Sequence, residues 1–198
     1  MKHVEANWSA QLLGGDGQLK KGTQLKSVDM LLDYEIGFSL AVSAKQSSLA
    51  GWRNIVHFTA SGGDCCKYGD RIPGVWFQPN TLKLNIVDGH TLHGNHATRE
   101  MKECDQKVLT LQQGKTYKLK MMFEQRSVSV WVNGKVACWG IPREDRKIFK
   151  NVKVYASDPW HNPANAVLKG LYFKNHPLEA IGVSFAFHFI VHFVLVIG

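Results

Sequence analysis

The sequence predicts an all-β protein in which two antiparallel sheets pack as a jelly-roll sandwich. Three features support this fold class: alternating apolar and polar runs recur along the chain, turn-forming residues separate them, and long amphipathic helical patterns are missing. Many short strands joined by Gly-, Pro- and Asn-containing turns are typical of sandwiches and jelly rolls. The predicted strands cover residues 7–13, 34–42, 52–58, 74–77, 82–87, 115–123, 127–132, 135–139, 151–156 and 166–173.

The strands of the N-terminal half are bounded by turn residues. A glycine-rich segment, 14–17, closes the first run, and residues 34–42 then alternate apolar and polar side chains. Residues 52–58 follow a polar loop. Gln78-Pro79-Asn80-Thr81 forms a tight turn between the next two strands, because Pro and Asn suit its central positions.

A two-residue turn, Asn133-Gly134, joins residues 127–132 to residues 135–139. Asn-Gly readily adopts the positive φ angles of a type I′ turn, whose twist matches that of the flanking strands. With the strand at 115–123 just upstream, this hairpin predicts a three-strand antiparallel meander.

Alternation along the meander assigns its side chains to faces. The three valines of 127–132 share one face and are expected in the core, whereas Trp131 points to the other face. Regular pairing away from the turn places Ser129 opposite Cys138. Cys138 is therefore expected on the face of Trp131, away from the main core.

The chain changes composition near Pro177. We expect residues 1–176 to form the sandwich domain and residues 177–198 to form an apolar C-terminal tail. Residues 180–198 contain no Asp, Glu, Lys or Arg, and their length is near the lower limit for a membrane span. Membrane attachment through residues 180–198, a removed anchor signal and a buried strand pair are all compatible with this composition.

The chain is basic, with a formal net charge of +8. Its Lys and Arg residues are scattered, and short runs occur only at Lys20-Lys21 and within 143–150. Solvated faces and charged sheet edges explain this pattern, and attraction to acidic glycans or anionic membranes is the alternative. RNA- and DNA-binding signatures are missing, so we expect no nucleic-acid partner.

A series of short motifs runs through most of the chain: Gly51 to Phe58, Gly69 to Phe77, Leu82 to Ile86, Val128 to Lys135, Val154 to Trp160 and Gly170 to Phe173. Their order resembles that of concanavalin A-like, laminin G-type jelly-roll domains, over about residues 7–175. The resemblance implies an extracellular domain that recognises sugars or proteins, often with calcium at the sheet rim. A calcium or sugar site of the family is not matched residue by residue, so the ligand does not follow from the resemblance.

The disulfide candidates are Cys65, Cys66, Cys104 and Cys138. The vicinal pair is not expected to bridge to itself without strain. An extracellular domain would oxidise its thiols, so we expect Cys65 or Cys66 to pair with Cys104 or Cys138. The first six residues lack the apolar run of a signal peptide, which leaves a cytosolic protein or a fragment of a longer secreted precursor. The resemblance favours a secreted or cell-surface location.

The loop at 88–96 is the first candidate ligand-binding segment, with Asp88, His90 and Asn95 beside two further histidines. Calcium would prefer Asp88, Asn95 and backbone carbonyls, whereas Zn²⁺ or Cu²⁺ would prefer the imidazoles. A polar loop without a ligand is the structural alternative.

The loop at 157–163 is the second candidate segment. Asp158 offers oxygen ligands to calcium or to hydroxyl groups, Trp160 offers a flat face to a sugar ring, and Asn162 adds a hydrogen-bonding side chain. The structural alternative is a corner in which Asp158 caps a turn and Trp160 covers the end of the sandwich.

Catalytic signatures are missing from the sequence. Jelly-roll glycosidases carry the pattern Glu-x-Asp-x-x-Glu, and here Asp33 and Glu35 lie two apart without that continuation. GxSxG and HExxH motifs are also missing, so we expect no enzymatic activity. The sequence predicts an extracellular recognition domain that binds carbohydrate or a protein partner through rim loops. The alternative is a structural or adhesive module of a matrix or cell-surface protein.

Overall fold

The computed structural model describes residues 9–45, 50–65, 67–89, 103–142 and 144–176. Nearly all of the regular structure in these ranges is strand, and the short helix α1 lies between β8 and β9. The elements are β1 (Ser9–Gln11), β2 (Asp16–Gln18), β3 (Gln24–Met30), β4 (Asp33–Val42), β5 (Arg53–Thr59), β6 (Gly74–Phe77), β7 (Leu84–Val87), β8 (Glu103–Cys104), α1 (Gln106–Leu109), β9 (Thr116–Phe123), β10 (Val128–Val132), β11 (Lys135–Gly140), β12 (Phe149–Tyr155), β13 (Asn162–Pro163) and β14 (Ala166–His176).

The strands form two sheets. The eight-stranded sheet has the order β1-β14-β4-β9-β10-β11-β8, with β2 also paired to β14. The six-stranded sheet has the order β3-β12-β5-β6-β7, with β13 beside β5. Strand pairs are antiparallel apart from the two-residue contact of β13 with β5. The predicted antiparallel two-sheet sandwich is therefore confirmed.

Aromatic side chains from both sheets meet in the core. Tyr34 on β4 stacks on Phe123 of β9 with 4.3 Å between ring centroids, and it lies 5.7 Å from Phe173 of β14. Phe58 of the six-stranded sheet lies 6.2 Å from Phe173. All four side chains are almost fully buried, so they join the inner faces of the two sheets.

The hairpin across Asn133-Gly134 forms as predicted, and its valines are buried. Trp131 pairs with Val136, but the register then shifts by one residue, so that Val130 lies opposite Cys138. This β-bulge places Cys138 in the core with 1% of its surface exposed. The prediction that Cys138 lies on the face of Trp131 is wrong, because simple alternation does not include the extra residue.

A disulfide bond joins Cys104 to Cys138. The two residues are register partners on the neighbouring strands β8 and β11, with Cα atoms 4.1 Å apart. The predicted pairing of either with Cys65 or Cys66 is therefore wrong, since β8 docks directly beside β11. Cys65 is disulfide-bonded as well.

The last strand, β14, ends at His176. Residues 177–198 lie outside the described residues, so the domain boundary and membrane attachment through residues 180–198 stay predictions. Among the residues that the structure describes, no helix has the length and apolar character needed to cross a membrane.

Candidate functional site

The segment 156–161, which follows β12, folds over the outer face of β5 and β6. Val56 and Phe58 of β5 belong to the core between the sheets, whereas the fully buried His57 and Asn54 bond to Asp158 in this loop. Strand β5 is thus covered on both sides, by the opposite sheet and by this loop.

Hydrogen bonds to β5 fix the start of the loop. The Ser157 N–H donates to the Ile55 carbonyl at 3.1 Å, and the Asp158 N–H donates to the Asn54 side-chain oxygen at 2.8 Å. Ser157 has a φ of 73°, in the left-handed region that residues other than glycine seldom adopt. Its buried position and these bonds hold it there, which sets the direction in which Asp158 points.

Asp158 is a fully buried carboxylate at the centre of the site. Its Oδ1 accepts from the backbone N–H groups of Trp160 at 3.0 Å and His161 at 2.7 Å, and its Oδ2 lies 2.9 Å from a ring nitrogen of both His57 and His161. Burial by itself raises the pKa of Asp158, but hydrogen bonds from His161 and His57 outweigh burial and hold the pKa well below its usual value. Asp158 therefore carries a negative charge at neutral pH.

His57 is fully buried between two oxygen acceptors. Its Nδ1 lies 2.9 Å from Asp158 Oδ2, and its Nε2 lies 2.5 Å from the carbonyl oxygen of Asp70. Indole rings flank the imidazole, with ring centroids 5.5 Å away for Trp76 and 5.3 Å away for Trp160. Protein groups therefore surround the imidazole and exclude bulk water.

Trp76 lies across Gly74, which is the register partner of His57 on β6. A Cβ atom at residue 74 would overlap the Trp76 ring, so only glycine leaves room for it. The Trp76 Nε1–H donates to His161 Nδ1 at 3.3 Å, and the Arg71 guanidinium lies 4.8 Å from the ring centroid. Trp76 thus contacts both the buried His57 and the more exposed His161 and Arg71.

Asp64 and His161 form the more exposed side of the site. Arg71 donates to the Asp64 carboxylate at 3.2 Å, and His161 Nδ1 lies 3.8 Å from Asp64 Oδ1. One ligand atom each from His57, Asp64 and Asp158 all lie within 4.8 Å of one another. We call His57, Asp64, Asp158 and His161 the His–Asp cluster. Its mixture of imidazole and carboxylate suits a transition metal better than calcium, which prefers oxygen ligands throughout.

Beyond the cluster, the loop reaches the surface. Trp160 remains 38% exposed, and its ring lies 5.9 Å from that of Tyr155. The exposed Asn162 pairs with Arg53 where β13 meets β5. The Trp160 ring is therefore fixed in place beside polar side chains at one end of the six-stranded sheet.

The structure brings some predicted residues together and separates others. Asp158, Trp160 and Asn162 lie in one loop as expected. Asp88 is fully buried after β7 and does not belong to the His–Asp cluster, although Gly89 donates to the Arg71 carbonyl at 2.7 Å. His90 and Asn95 lie outside the described residues, so their ligand-binding roles stay predictions.

Local sequence patterns pointed to no role for His57, Trp76 or His161, and they suggested Asp64 only as part of a disulfide-tied loop or as a rim contact. His57 carried a usable signal: in a strand where alternate residues face opposite sides, it lies on the side away from its neighbours Val56 and Phe58. Its partner Asp158 is 101 residues away in the chain, and local patterns do not show such a contact.

No protein-family model matches this sequence, and a search of curated proteins finds no relative. Several solved structures share its fold. Sheep galectin-11 in complex with glycerol is 14% identical with a TM-score of 0.50, over 77% of this chain and 97% of that one. A Trypanosoma rangeli sialidase in complex with difluorosialic acid is 10% identical with a TM-score of 0.51, over 88% of this chain and 26% of that one.

A third similar structure, an HCR/D mutant, is 7% identical with a TM-score of 0.53, over 93% of this chain and 49% of that one. The chain thus spans about a quarter of the sialidase and about half of the HCR/D protein. At these identities the likeness shows a shared β-sandwich fold alone, because one fold hosts many functions.

Proposed function

We propose that this protein is an extracellular, lectin-like recognition domain that binds carbohydrate through the rim loop 157–162. One observation carries the proposal: Trp160 presents a 38% exposed ring on a loop whose base is fixed by the buried Asp158. The flat apolar face of an indole packs well against the C–H groups of a sugar ring. Because hydrogen bonds already order the loop, sugar binding would cost little conformational entropy.

Polar groups beside Trp160 suit the hydroxyl groups of a sugar. His161 is partly exposed, and Asn162 is exposed next to it. Small-molecule sites generally combine an apolar surface with a few placed hydrogen-bonding groups. The concanavalin A-like or laminin G-like relationship, supported by the sandwich fold and the order of motifs, is part of this proposal.

Two further parts of the proposal concern location and chemistry. The disulfide-bonded state of Cys65 and the Cys104–Cys138 bond support an oxidising, extracellular compartment. We propose binding rather than catalysis, since the two neighbouring acids of β4 are engaged within the fold. Asp33 Oδ1 lies 3.6 Å from an Arg146 nitrogen, and Glu35 accepts from the Tyr172 hydroxyl.

A glycan array with matched tryptophan variants tests the sugar contact. Trp160→Ala should weaken binding about tenfold or more, equivalent to about 1.4 kcal/mol. Because the Trp160 ring also flanks the buried His57, the melting temperature should fall as well, and binding is compared at a temperature where both proteins are folded. Trp139→Ala is the control, because Trp139 is 47% exposed on β11 of the other sheet. Equal binding by wild type and Trp160→Ala would disprove the assigned contact.

Calcium assistance is a separate part of the proposal and is tested on the same arrays. If calcium bridges protein and sugar, EDTA should abolish the signal, and added Ca²⁺ should restore it. An unchanged signal in EDTA would remove calcium from the proposal and leave the Trp160 contact in place.

A structural or adhesive module is the second candidate function. It is favoured by three exposed apolar side chains within residues 136–141: Val136 at 48%, Trp139 at 47% and Ile141 at 43% exposure. Clustered apolar exposure suits a protein partner more than a sugar. Silence across the glycan array, with partner capture lost in Trp139→Ala but kept in Trp160→Ala, would favour this function.

A further inference from the structure

We propose that the His–Asp cluster binds a transition-metal ion, with Zn²⁺ as the ion that its donor atoms favour. The proposal goes beyond sugar recognition by Trp160, and the two share the loop that carries Asp158 and His161. It rests on the convergence of ligand atoms and on the orientation of His57 by a backbone carbonyl.

Three chain segments deliver the ligand atoms to one point. Strand β5 supplies His57, the loop after it supplies Asp64, and the loop after β12 supplies Asp158 and His161. His161 Nδ1 lies 2.9 Å from Asp158 Oδ2 and 3.8 Å from Asp64 Oδ1. Neighbouring ligands of a tetrahedral zinc ion with bonds of about 2.0–2.1 Å lie roughly 3.4 Å apart. The ligand atoms of His57, Asp64 and Asp158 lie within 4.8 Å of one another, so binding would draw these side chains closer together.

A backbone carbonyl orients His57 as a metal ligand requires. Nε2 lies 2.5 Å from the Asp70 carbonyl oxygen, an acceptor, so Nε2 must carry a hydrogen. Nδ1 faces Asp158 and the interior of the cluster, and on metal binding it would release the proton that it donates to Asp158 and coordinate the ion instead. Metal-binding histidines characteristically donate their other N–H to a carbonyl or carboxylate.

A bound cation would replace a proton inside the cluster. His57 lies between two oxygen acceptors, so it donates from both ring nitrogens, to Asp158 and to the Asp70 carbonyl. A divalent ion at the point where His57, Asp64 and Asp158 meet would take the place of the Nδ1 proton and offset the charge of the buried carboxylate.

Metal binding would alter two contacts at the exposed side. The His161 lone pair would leave the Trp76 N–H, whose 3.3 Å bond is the longest hydrogen bond made by His161. Asp64 would exchange its contact with Arg71 for the ion. Asp64 is 28% exposed and His161 19% exposed at their side chains, so an ion can approach from solvent.

The donor set also selects the ion. Imidazole ligands favour Zn²⁺, Cu²⁺ and Ni²⁺, whereas Ca²⁺ and Mg²⁺ prefer oxygen ligands. We therefore expect calorimetric titration of chelator-treated protein with Zn²⁺ to show one ion bound per chain at micromolar or lower concentration. Excess Zn²⁺ should raise the melting temperature by several degrees, and Ca²⁺ should not.

Substitutions of the partly exposed ligands test the position of the ion and leave the buried His57 and Asp158 in place. His161→Ala and Asp64→Asn should each weaken Zn²⁺ binding about tenfold or more. His176→Ala is the matched control, since His176 lies on β14 with its Nε2 4.0 Å from Glu35 and should leave Zn²⁺ binding unchanged. Because either variant of the cluster suffices, failure of one to fold leaves the other as the test.

Two results would overturn the proposal. One is the lack of Zn²⁺ binding by the folded wild-type protein. The other is Zn²⁺ binding that survives both His161→Ala and Asp64→Asn, which would place the ion elsewhere, for example on the histidines of the segment 90–96. The sugar contact is judged separately by Trp160→Ala, because His161 also lies beside the proposed sugar site.

Discussion

On the outer face of each sheet an aromatic ring packs across a glycine, but the two faces differ in the charges that they hold. On the six-stranded sheet the Trp76 ring lies across Gly74, and on the eight-stranded sheet the Tyr172 ring lies across Gly37. We call the first the covered face, because segment 156–161 folds over it. We call the second the open face, because it stays accessible beside partly exposed lysines.

The cover decides which charges each face holds. On the covered face, hydrogen bonds from two histidines keep Asp158 ionised in spite of its burial. On the open face, partial burial and the hydrogen bond to Glu35 raise the pKa of Tyr172 to about 12. On the covered face the loop excludes water, so the Trp76–Gly74 contact lies beside a buried, charged cluster. On the open face no loop covers the Tyr172–Gly37 contact within the described residues, and it remains at the surface.

The largest expected effect follows from removing the charge of Asp158, which lies beneath segment 156–161. Asp158→Ala should lower the free energy of unfolding by about 3–5 kcal/mol, because it leaves His57 and two backbone N–H groups without their acceptor in a buried space. The open-face counterpart Glu35→Ala should cost about 1 kcal/mol or less. Urea unfolding of both variants measures the difference, and equal losses would show that the cover does not exclude water.

The two glycines should differ for the same reason. Gly74→Ala should cost about 3 kcal/mol, since the Trp76 ring is 2% exposed and has no room to move. Gly37→Ala should cost about 1 kcal/mol, because the Tyr172 ring can swing toward solvent. Thermal unfolding of the pair provides the comparison, and a larger loss for Gly37→Ala would reverse our assignment of the rigid face.

A smaller effect should appear at high pH on the open face. The folded-state pKa of Tyr172, about 12, lies above the usual value near 10. The corresponding stabilisation is therefore complete below about pH 10 and is lost as the pH rises through 12. Burial also raises the pKa of Tyr34 well above its usual value, so ultraviolet titration of tyrosinate should show late ionisation by both Tyr34 and Tyr172 in the folded protein. The group that ionises near pH 12 should be missing in Tyr172→Phe. A wild-type curve without this group would contradict the Glu35 contact.

The smallest effect should come from a surface ion pair of the open face. Lys169 Nζ lies 2.7 Å from Asp16 Oδ2, and both side chains are well exposed. Lys169→Ala should change stability by about 0.5 kcal/mol or less, and added salt should reduce the effect. A loss above about 1 kcal/mol in urea unfolding would mean that this face is less accessible than its exposed side chains indicate.

Much of the fold could be predicted from local sequence. The Asn133-Gly134 turn and the alternation of residues 127–132 identify the hairpin and its buried valines, because both depend only on neighbouring residues. The bulge after Val130 could not be predicted this way, since it inserts a residue without changing the composition of either strand. Because the bulge was not predicted, Cys138 was assigned to the outer face and not to the core, and its pairing with Cys104 was not predicted.

The candidate site could be predicted only in part, for a related reason. Asp158 and Trp160 were found because they share one polar, proline-containing loop. His57 was missed because its partner Asp158 comes from a distant segment, brought near by the pairing of β12 with β5. Local sequence thus indicated the loop but not the strand beneath it, and the burial of Asp158 makes Trp160→Ala the cleaner test of binding.

The disulfide between Cys104 and Cys138 links residues 34 positions apart. The enclosed stretch contains α1, β9, β10 and the Asn133-Gly134 turn. A protease that cleaves the backbone once inside this stretch would therefore leave the two fragments covalently attached. Such nicked protein would keep its full mass on a gel without reductant and separate into two pieces only after the disulfide is reduced.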